Sequence, residues 1–361
     1  MPMDYEDLRL RLLQLIAAAS RKSADLEITV VCNRRHSIPE ITDFAEHSVR
    51  TEFYSDSEFS EVIGSLRGRG FYVAGILDEQ EFLERASTLR RQNTWDILMN
   101  FGSARLGPWG KTLVPSLAEA SGWVTTNSNS YAIALARHKF HCAAILAGMG
   151  IRSARTWCYS ANDGWLGNQR PHSGTPVLVQ PAFESASIGV SLDSKQIVDV
   201  GLDQYCHEMT AQFRQDVVIR EFVPGYEAEV PVVRIESPQS LQPIGIAVEG
   251  KRQLGDLFLT YSCVRDDAYG FYPFIEETTA ETITALRETA EDVCRILGLR
   301  GFSRIDFRID NQGRAFVTDI SASPHFIKHS SFSVSAALLG IEASLLPVLL
   351  IALALRRENL I

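Results

Sequence analysis

The stretch Gly301–Pro324, GFSRIDFRIDNQGRAFVTDISASP, holds two short alternating runs separated by turn residues. FSRIDFRI alternates apolar and polar side chains, NQG supplies the turn, and RAFVTDI alternates again, which predicts a β-hairpin. Successive strand residues point to opposite faces, so Arg304 and Asp306 share one face of the first strand, and Asp319 and Ser321 share one face of the second. In the register that the turn suggests, two carboxylates, a hydroxyl and a guanidinium converge on one patch. That donor set suits Mg²⁺, which takes one or two protein carboxylates and leaves its other positions to water and phosphate oxygens. The competing reading is a solvated hairpin with both aspartates turned outward, the commoner fate of charged side chains.

Composition narrows the setting of this patch. With 361 residues and 45% hydrophobic content, the chain can bury a full core, divided between two or three subdomains. A formal charge of -9 disfavours nucleic acid or an anionic membrane as the main partner. Cys32, Cys142, Cys158, Cys206, Cys263 and Cys294 are scattered without CxxC spacing, which predicts reduced thiols in a cytoplasmic protein and no zinc site. Asp4, Glu6 and Asp7 precede the first helical run, unlike the basic start of a signal peptide. The apolar run Ala336 to Leu355 approaches spanning length, but Glu342 and Pro347 interrupt it, so a buried helix pair is expected and not a membrane anchor.

Along the chain, EITVVCN (27–33), HSVRTEFY (47–54), FYVAGIL (71–77) and TWDILMNFG (94–102) are strand candidates, with helical segments SEFSEVIGSLRGR and DEQEFLERASTLRRQ between them. Alternating strands and helices predict an open α/β layer whose ligands lie beyond the carboxyl ends of the strands, beside the loop NFGSARLGPWGK. SNSYAIALARHKFHCAAILA (128–147) reads as one helix capped by Ser or Asn, with Lys139 near its middle. PVLVQP is a buried strand, and ESASIG (184–189) is a small-residue loop able to bring N–H groups and hydroxyls to phosphates. DVVIREFVPGYEAEVPVV reads as strand, Pro-Gly turn and strand, followed by a mixed-charge flap over 249–273 and an amphipathic helix from the TTAETI segment.

Each of these motifs is weak alone, but five in order are specific: Lys139 on its helix, VLVQPAFESASIGVS, VIREFVPGYEAEV, GFSRIDFRI and VTDISASP. Together they resemble the ATP-grasp superfamily, most closely its D-alanine–D-alanine ligase type, over about Asn100 to Ile341. The resemblance implies an α/β (α+β) ATP-grasp fold, with an N-terminal α/β layer (1–134) followed by two α+β subdomains (135–215 and 216–361) that clasp the nucleotide. It also implies an ATP- and Mg²⁺-dependent carboxylate–amine ligase working through an acyl phosphate. Small-molecule acid and amine substrates follow, and a homodimer is favoured.

Carried over by position, the resemblance places Lys139, Gln180, Ser185 and Ser187 at the phosphates. Glu221, Phe222 and Val223 become the adenine hinge, and Glu227 holds the ribose. Asp306, Asp319 and Ser321 take the Mg²⁺ positions, and Arg304 stabilises charge on the acyl phosphate and tetrahedral intermediate. The departures are specific. Gln180 stands where the family has a second phosphate-binding lysine, Asp319 replaces Glu, Ser321 replaces Asn, and His325 follows Pro324 where the family has Gly. The flap lysine and the N-terminal substrate-recognising Glu have no clear counterpart. These differences predict a substrate other than D-alanine, in peptide or specialised-metabolite synthesis; the alternative is a nucleotide-binding partner protein without turnover. No nucleophile elbow, Walker lysine motif or metal-binding His pair supports an unrelated enzyme class.

Overall fold

The structure, a computed structural model, describes residues 3–35, 43–85, 95–102, 107, 110–327 and 329–361. Three sheets follow one another along the chain. The first is parallel and carries β1 (Leu26–Cys32), β2 (Tyr72–Leu77), β3 (Trp95–Phe101) and β4 (Val124–Thr125) in the order β2-β1-β3-β4. The second is antiparallel, with β5 (Thr156–Ser160), β6 (Gly164–Trp165), β7 (Pro176–Pro181), β8 (Lys195–Ile197) and β9 (Val217–Glu221) in the order β6-β5-β9-β7-β8. The third, also antiparallel, has β10 (Tyr226–Arg234), β11 (Pro238–Ser240), β12 (Ile244–Val248), β13 (Tyr269–Pro273), β14 (Phe302–Ile309) and β15 (Ala315–Ser321), in the order β13-β12-β10-β14-β15 with β11 paired to β10.

Burial explains why the first sheet reads as continuous apolar runs. In β1, Ile28, Val30 and Val31 are fully buried, as expected for a parallel strand covered on both faces. One cover is the helix Tyr5–Arg21, which inserts Leu8, Leu12 and Ile16. The C-terminal helix Leu346–Arg357 joins the same cluster, and every residue from Leu346 to Leu355 is buried. The apolar tail is therefore core: among the described residues no single helix is long and apolar enough to cross a membrane, and the two terminal helices meet at 107°.

Three local expectations fail for identifiable reasons. HSVRTEFY is mostly helical, with an α-helix at Phe44–Ser48 and a 3₁₀ turn at Val49–Glu52. Asp43 caps the Glu46 N–H, and the Thr51 hydroxyl bonds back to the Ser48 carbonyl, so local hydrogen bonds outcompete the β-rich composition. The single helix over 128–147 is two, Ser130–Arg137 and Lys139–Gly148, broken at His138. Asn129 caps the first, and Lys139 is the first residue of the second rather than a mid-helix residue. VIREFVPGYEAEV does not form a hairpin: β9 belongs to the second sheet and β10 to the third, so Pro224–Gly225 crosses between sheets. Gly225 has φ +141°, and a Cβ there would lie 2.0 Å from the Ile309 carbonyl oxygen. Residues 86–92 of the DEQEFLERASTLRRQ helix, residues 103–106 and 108–109 of the NFGSARLGPWGK loop, and His36 lie outside the described residues.

Candidate active site

The β14–β15 hairpin sets the first row of the site. Its register pairs Arg304 with Ser321 and Asp306 with Asp319, and a bulge follows Asp306. On the other side of β14, Glu229 of β10 lies opposite Asp306, so three carboxylates cross neighbouring strands in one row. Arg304 grips Asp306 with two parallel bonds, Nε to Oδ1 at 2.7 Å and Nη2 to Oδ2 at 2.8 Å, and reaches Glu229 at 3.3 Å. Lys139 Nζ holds both oxygens of Asp319, at 3.1 and 2.9 Å.

Burial acts on these acids unequally. It raises every carboxyl in the row, but at Asp319 the charges of Lys139 and then Arg220 outweigh it and hold the group below its ordinary value. At Asp306 burial wins over Arg304 and the pKa rises. Glu229, where burial again outweighs Arg304, is pushed up to about 7. Asp306, Asp319 and the Ser321 hydroxyl are oxygen donors of the kind a hard divalent cation takes. The Ser321 hydroxyl makes no hydrogen bond among the described residues and lines the same cavity.

That cavity, about 410 Å³, lies between the three sheets and lies in the range usual for small-molecule sites. Its hinge side is apolar: Val190, Phe222 and Phe258 form a buried cluster with Leu178 against it. The Val223 carbonyl accepts from Arg308 Nε at 2.9 Å, while the Val223 N–H has no partner among the described residues. The Glu221 side chain leaves the cleft for Arg155 at 2.6 Å. Glu227 is buried beside Arg308, 3.2 Å away, and burial raises its pKa more than Arg308 lowers it. Gln180 lines the cavity with its Nε2 buried and without a partner.

The small-residue loop is pinned to the N-terminal layer. Glu184 Oε1 accepts from the Gly107 N–H at 2.7 Å, and the Ser185 hydroxyl donates to Glu52 Oε1 at 2.6 Å while accepting from Lys111 and Arg137. The Ser185 hydroxyl is thus engaged with that layer. Ala186 (φ 51°) and Ser187 (φ 53°) follow in the left-handed region, which costs roughly 1–2 kcal/mol per non-glycine residue. A strain of this kind persists only where neighbours impose it.

At the far end, the helix Asp56–Arg67 starts with a capping box in which Ser55 and Glu58 satisfy each other's N–H groups. Glu58 also meets His325 Nε2 at 3.5 Å, and the His325 ring lies 4.7 Å from the buried Tyr54 ring. Burial would raise the Glu58 carboxyl, but His325 and the Ser55 N–H hold it at about 2. Sequence reasoning did not single out Glu52, Tyr54, Glu58, Lys111, Arg220, Glu229 or Arg308. Most sit on elements whose facing partner is remote in sequence; only Glu229 carried a local signal, its two-residue spacing from Glu227 on one strand face.

Residues 152–352, more than half of the chain, match the family described as D-ala D-ala ligase C-terminus, and the chain belongs to that family. It is an ATP-dependent, ADP-forming C–N ligase of ATP-grasp fold, with Mg²⁺ as the metal cofactor. Relatives include D-alanine–D-alanine ligase B of Chromobacterium violaceum, 26% identical over 78% of this chain and 86% of that protein. The corresponding ligase B of Pseudomonas putida is 24% identical over 81% and 85%. Among solved structures, the D-alanine–D-alanine ligase of Bacillus anthracis complexed with ATP superposes with a TM-score of 0.67 at 16% identity, over 92% of this chain and 99% of that one. The VanG D-Ala:D-Ser ligase of Enterococcus faecalis gives 0.67 at 16%, over 91% and 99%.

Proposed function

We propose that this ligase joins a small amino-acid-like carboxylate to an amine other than a second D-alanine, in specialised-metabolite synthesis. The observation that carries the substrate reading is the His325–Glu58–Tyr54 corner. An imidazole 3.5 Å from a half-buried carboxylate and packed on a phenol ring fills a position where the family resemblance implies glycine. A substrate group there meets a polar, preformed wall.

In this reading the acid's carboxylate oxygen attacks the γ-phosphorus of ATP, ADP leaves, and an acyl phosphate forms. The amine nitrogen then attacks the acyl carbon, and inorganic phosphate leaves as the amide forms. Phosphoryl transfer depends mainly on positioning and charge neutralisation, so the charged row has the main task. Asp306, Asp319 and Ser321 would hold Mg²⁺, which when bound neutralises phosphate charge. Arg304, buried and kept fully charged by Asp306 and Glu229, is the donor for negative charge at the acyl centre. Lys139, Gln180 and the N–H groups around Ser185 and Ser187 face phosphate. The backbone of Glu221–Val223 and the Phe222 ring take adenine, and Glu227 takes the ribose hydroxyls. Homodimeric assembly rests on family resemblance, and a cytoplasmic setting is supported by six unpaired cysteines.

The test is a matrix of acids and amines with Mg²⁺ and ATP, read by ADP release and product mass. The expected result is amide formation with a pair other than D-alanine and D-alanine. Preferential turnover of two D-alanines sinks the substrate reading, and light scattering at the mass of a 40.2 kDa monomer sinks the dimer.

A further inference from the structure

Arg220 makes no side-chain ion pair within 4 Å among the described residues, and Asp319 and Asp306 act on it only from farther away. Of the cations around the carboxylate row, Lys139 is paired with Asp319, Arg304 with Asp306 and Glu229, and Arg308 with Glu227. Among the described residues Arg220 makes neither a hydrogen bond nor an ion pair within 4 Å, although it is only 8% exposed. Its guanidinium nitrogens are not sealed in the interior, and the residue lines the large cavity. Burial disfavours its charge, and the negative groups that act on it most strongly are Asp319 and then Asp306. A buried guanidinium left in this state is expensive unless an anion completes it.

Strand register says where that anion sits. Arg220 of β9 lies opposite Leu178 of β7, while Gln180 lies opposite Val218. Cross-strand partners share a face, and residues two apart on a strand share a face. Arg220 and Gln180 therefore project from the same side of the second sheet into the same cavity, toward the Asp306–Asp319 row. The Gln180 amide nitrogen is itself sealed from the cavity, so the open donor on this face is the Arg220 guanidinium. A guanidinium without an ion pair, next to carboxylates that fit Mg²⁺, is a binding point for phosphate oxygens.

We propose that Arg220 contacts the nucleotide's polyphosphate and supplies, from β9, the positive charge that β7 lacks at Gln180. This rests on the chain's use of ATP and deepens the placement of the phosphates. A planar guanidinium offers paired donors to one phosphate group, whereas an ammonium acts as a point charge.

The experiment measures ATP, ADP and adenosine binding to the full chain with Mg²⁺, by calorimetry and competition. It compares the wild type with Arg220→Gln, Arg220→Lys and the double variant Arg220→Gln/Gln180→Lys. Losing one charge-assisted bond to phosphate is expected to weaken ATP and ADP roughly tenfold to a hundredfold in Arg220→Gln. Adenosine should change less than about twofold, Arg220→Lys should lose less than Arg220→Gln, and lysine at 180 should restore ATP binding. Unchanged ATP affinity in Arg220→Gln overturns the proposal. So does an equal loss of ATP and adenosine with a lowered Tm, which would make Arg220 a structural counter-charge for Asp319. A wild type that binds ATP through Arg220 but joins no acid to any amine leaves this inference standing and removes the substrate reading alone.

Discussion

Replacing Glu52 and Lys111 together, by Gln and Met, removes an ion pair that ties the small-residue loop 184–189 to the N-terminal layer. The Glu52 side chain is buried, with 4% exposed, and that of Lys111 is half-buried, with 19% exposed; Glu52 also accepts from Ser185 in the loop. Burial alone would raise the Glu52 carboxyl, but Lys111 first and Arg137 next bring it from 4.5 down to about 2. At about 1.36 kcal/mol per pH unit, that difference contributes about 3 kcal/mol to folding. Because the folded-state value is depressed, the contribution is complete above pH 4.5 and is lost as pH falls toward 2. Lys111 moves the other way: its burial outweighs Glu52 and lowers its pKa, so the pair as a whole stabilises by less than the Glu52 share. Urea unfolding from pH 5 to pH 2 reads the difference. The wild type should lose about 3 kcal/mol more than the double variant over that range, the Glu58 titration being common to both. Glu52→Gln alone leaves Lys111 without its carboxylate, while Arg137 keeps Glu184, and should cost about 3 kcal/mol at pH 7. The same acid dependence in wild type and double variant would refute the reasoning. Faster amide exchange in 184–189 of the double variant would show that the pair also holds this loop.

Arg304→Met should lower kcat by about 10²–10³, with ATP affinity changed little, because the lost donor serves charge that develops during reaction; equal losses in kcat and ATP affinity would place Arg304 on the nucleotide instead. Lys139→Met leaves the Asp319 carboxylate without its nearest cation, so its pKa should rise and Mg²⁺–ATP should bind about tenfold or more weakly, by calorimetry. His325→Gly should let the Glu58 pKa climb from about 2 toward 4.5, followed by carboxyl NMR titration, and should widen the range of accepted substrates. Gly225→Ala, with its Cβ directed at the Ile309 carbonyl, should cost more than about 1 kcal/mol in thermal unfolding and should loosen the passage from β9 to β10.

The sequence by itself determined the elements whose periodicity is local. The hairpin of β14 and β15 follows from two alternating runs and a short turn, but the turn's register alone would set Asp306 against Thr318; the bulge after Asp306, which no alternation records, brings it opposite Asp319. The apolar β1 run, the capped helix Ala280–Ile296 and the buried C-terminal helix were legible from their own local patterns. Where two local signals competed, the pattern misled: in HSVRTEFY side-chain caps overrode β propensity, and His138 cut one amphipathic run into two helices. Tertiary structure alone decided which charges meet. Lys139 finds Asp319 from 180 residues away, Ser185 meets Glu52 from 133 away, and Arg220 of the second sheet comes under the charges of Asp319 and Asp306 of the third. Pairing across such distances depends on how sheets pack, and no periodicity within a strand records it.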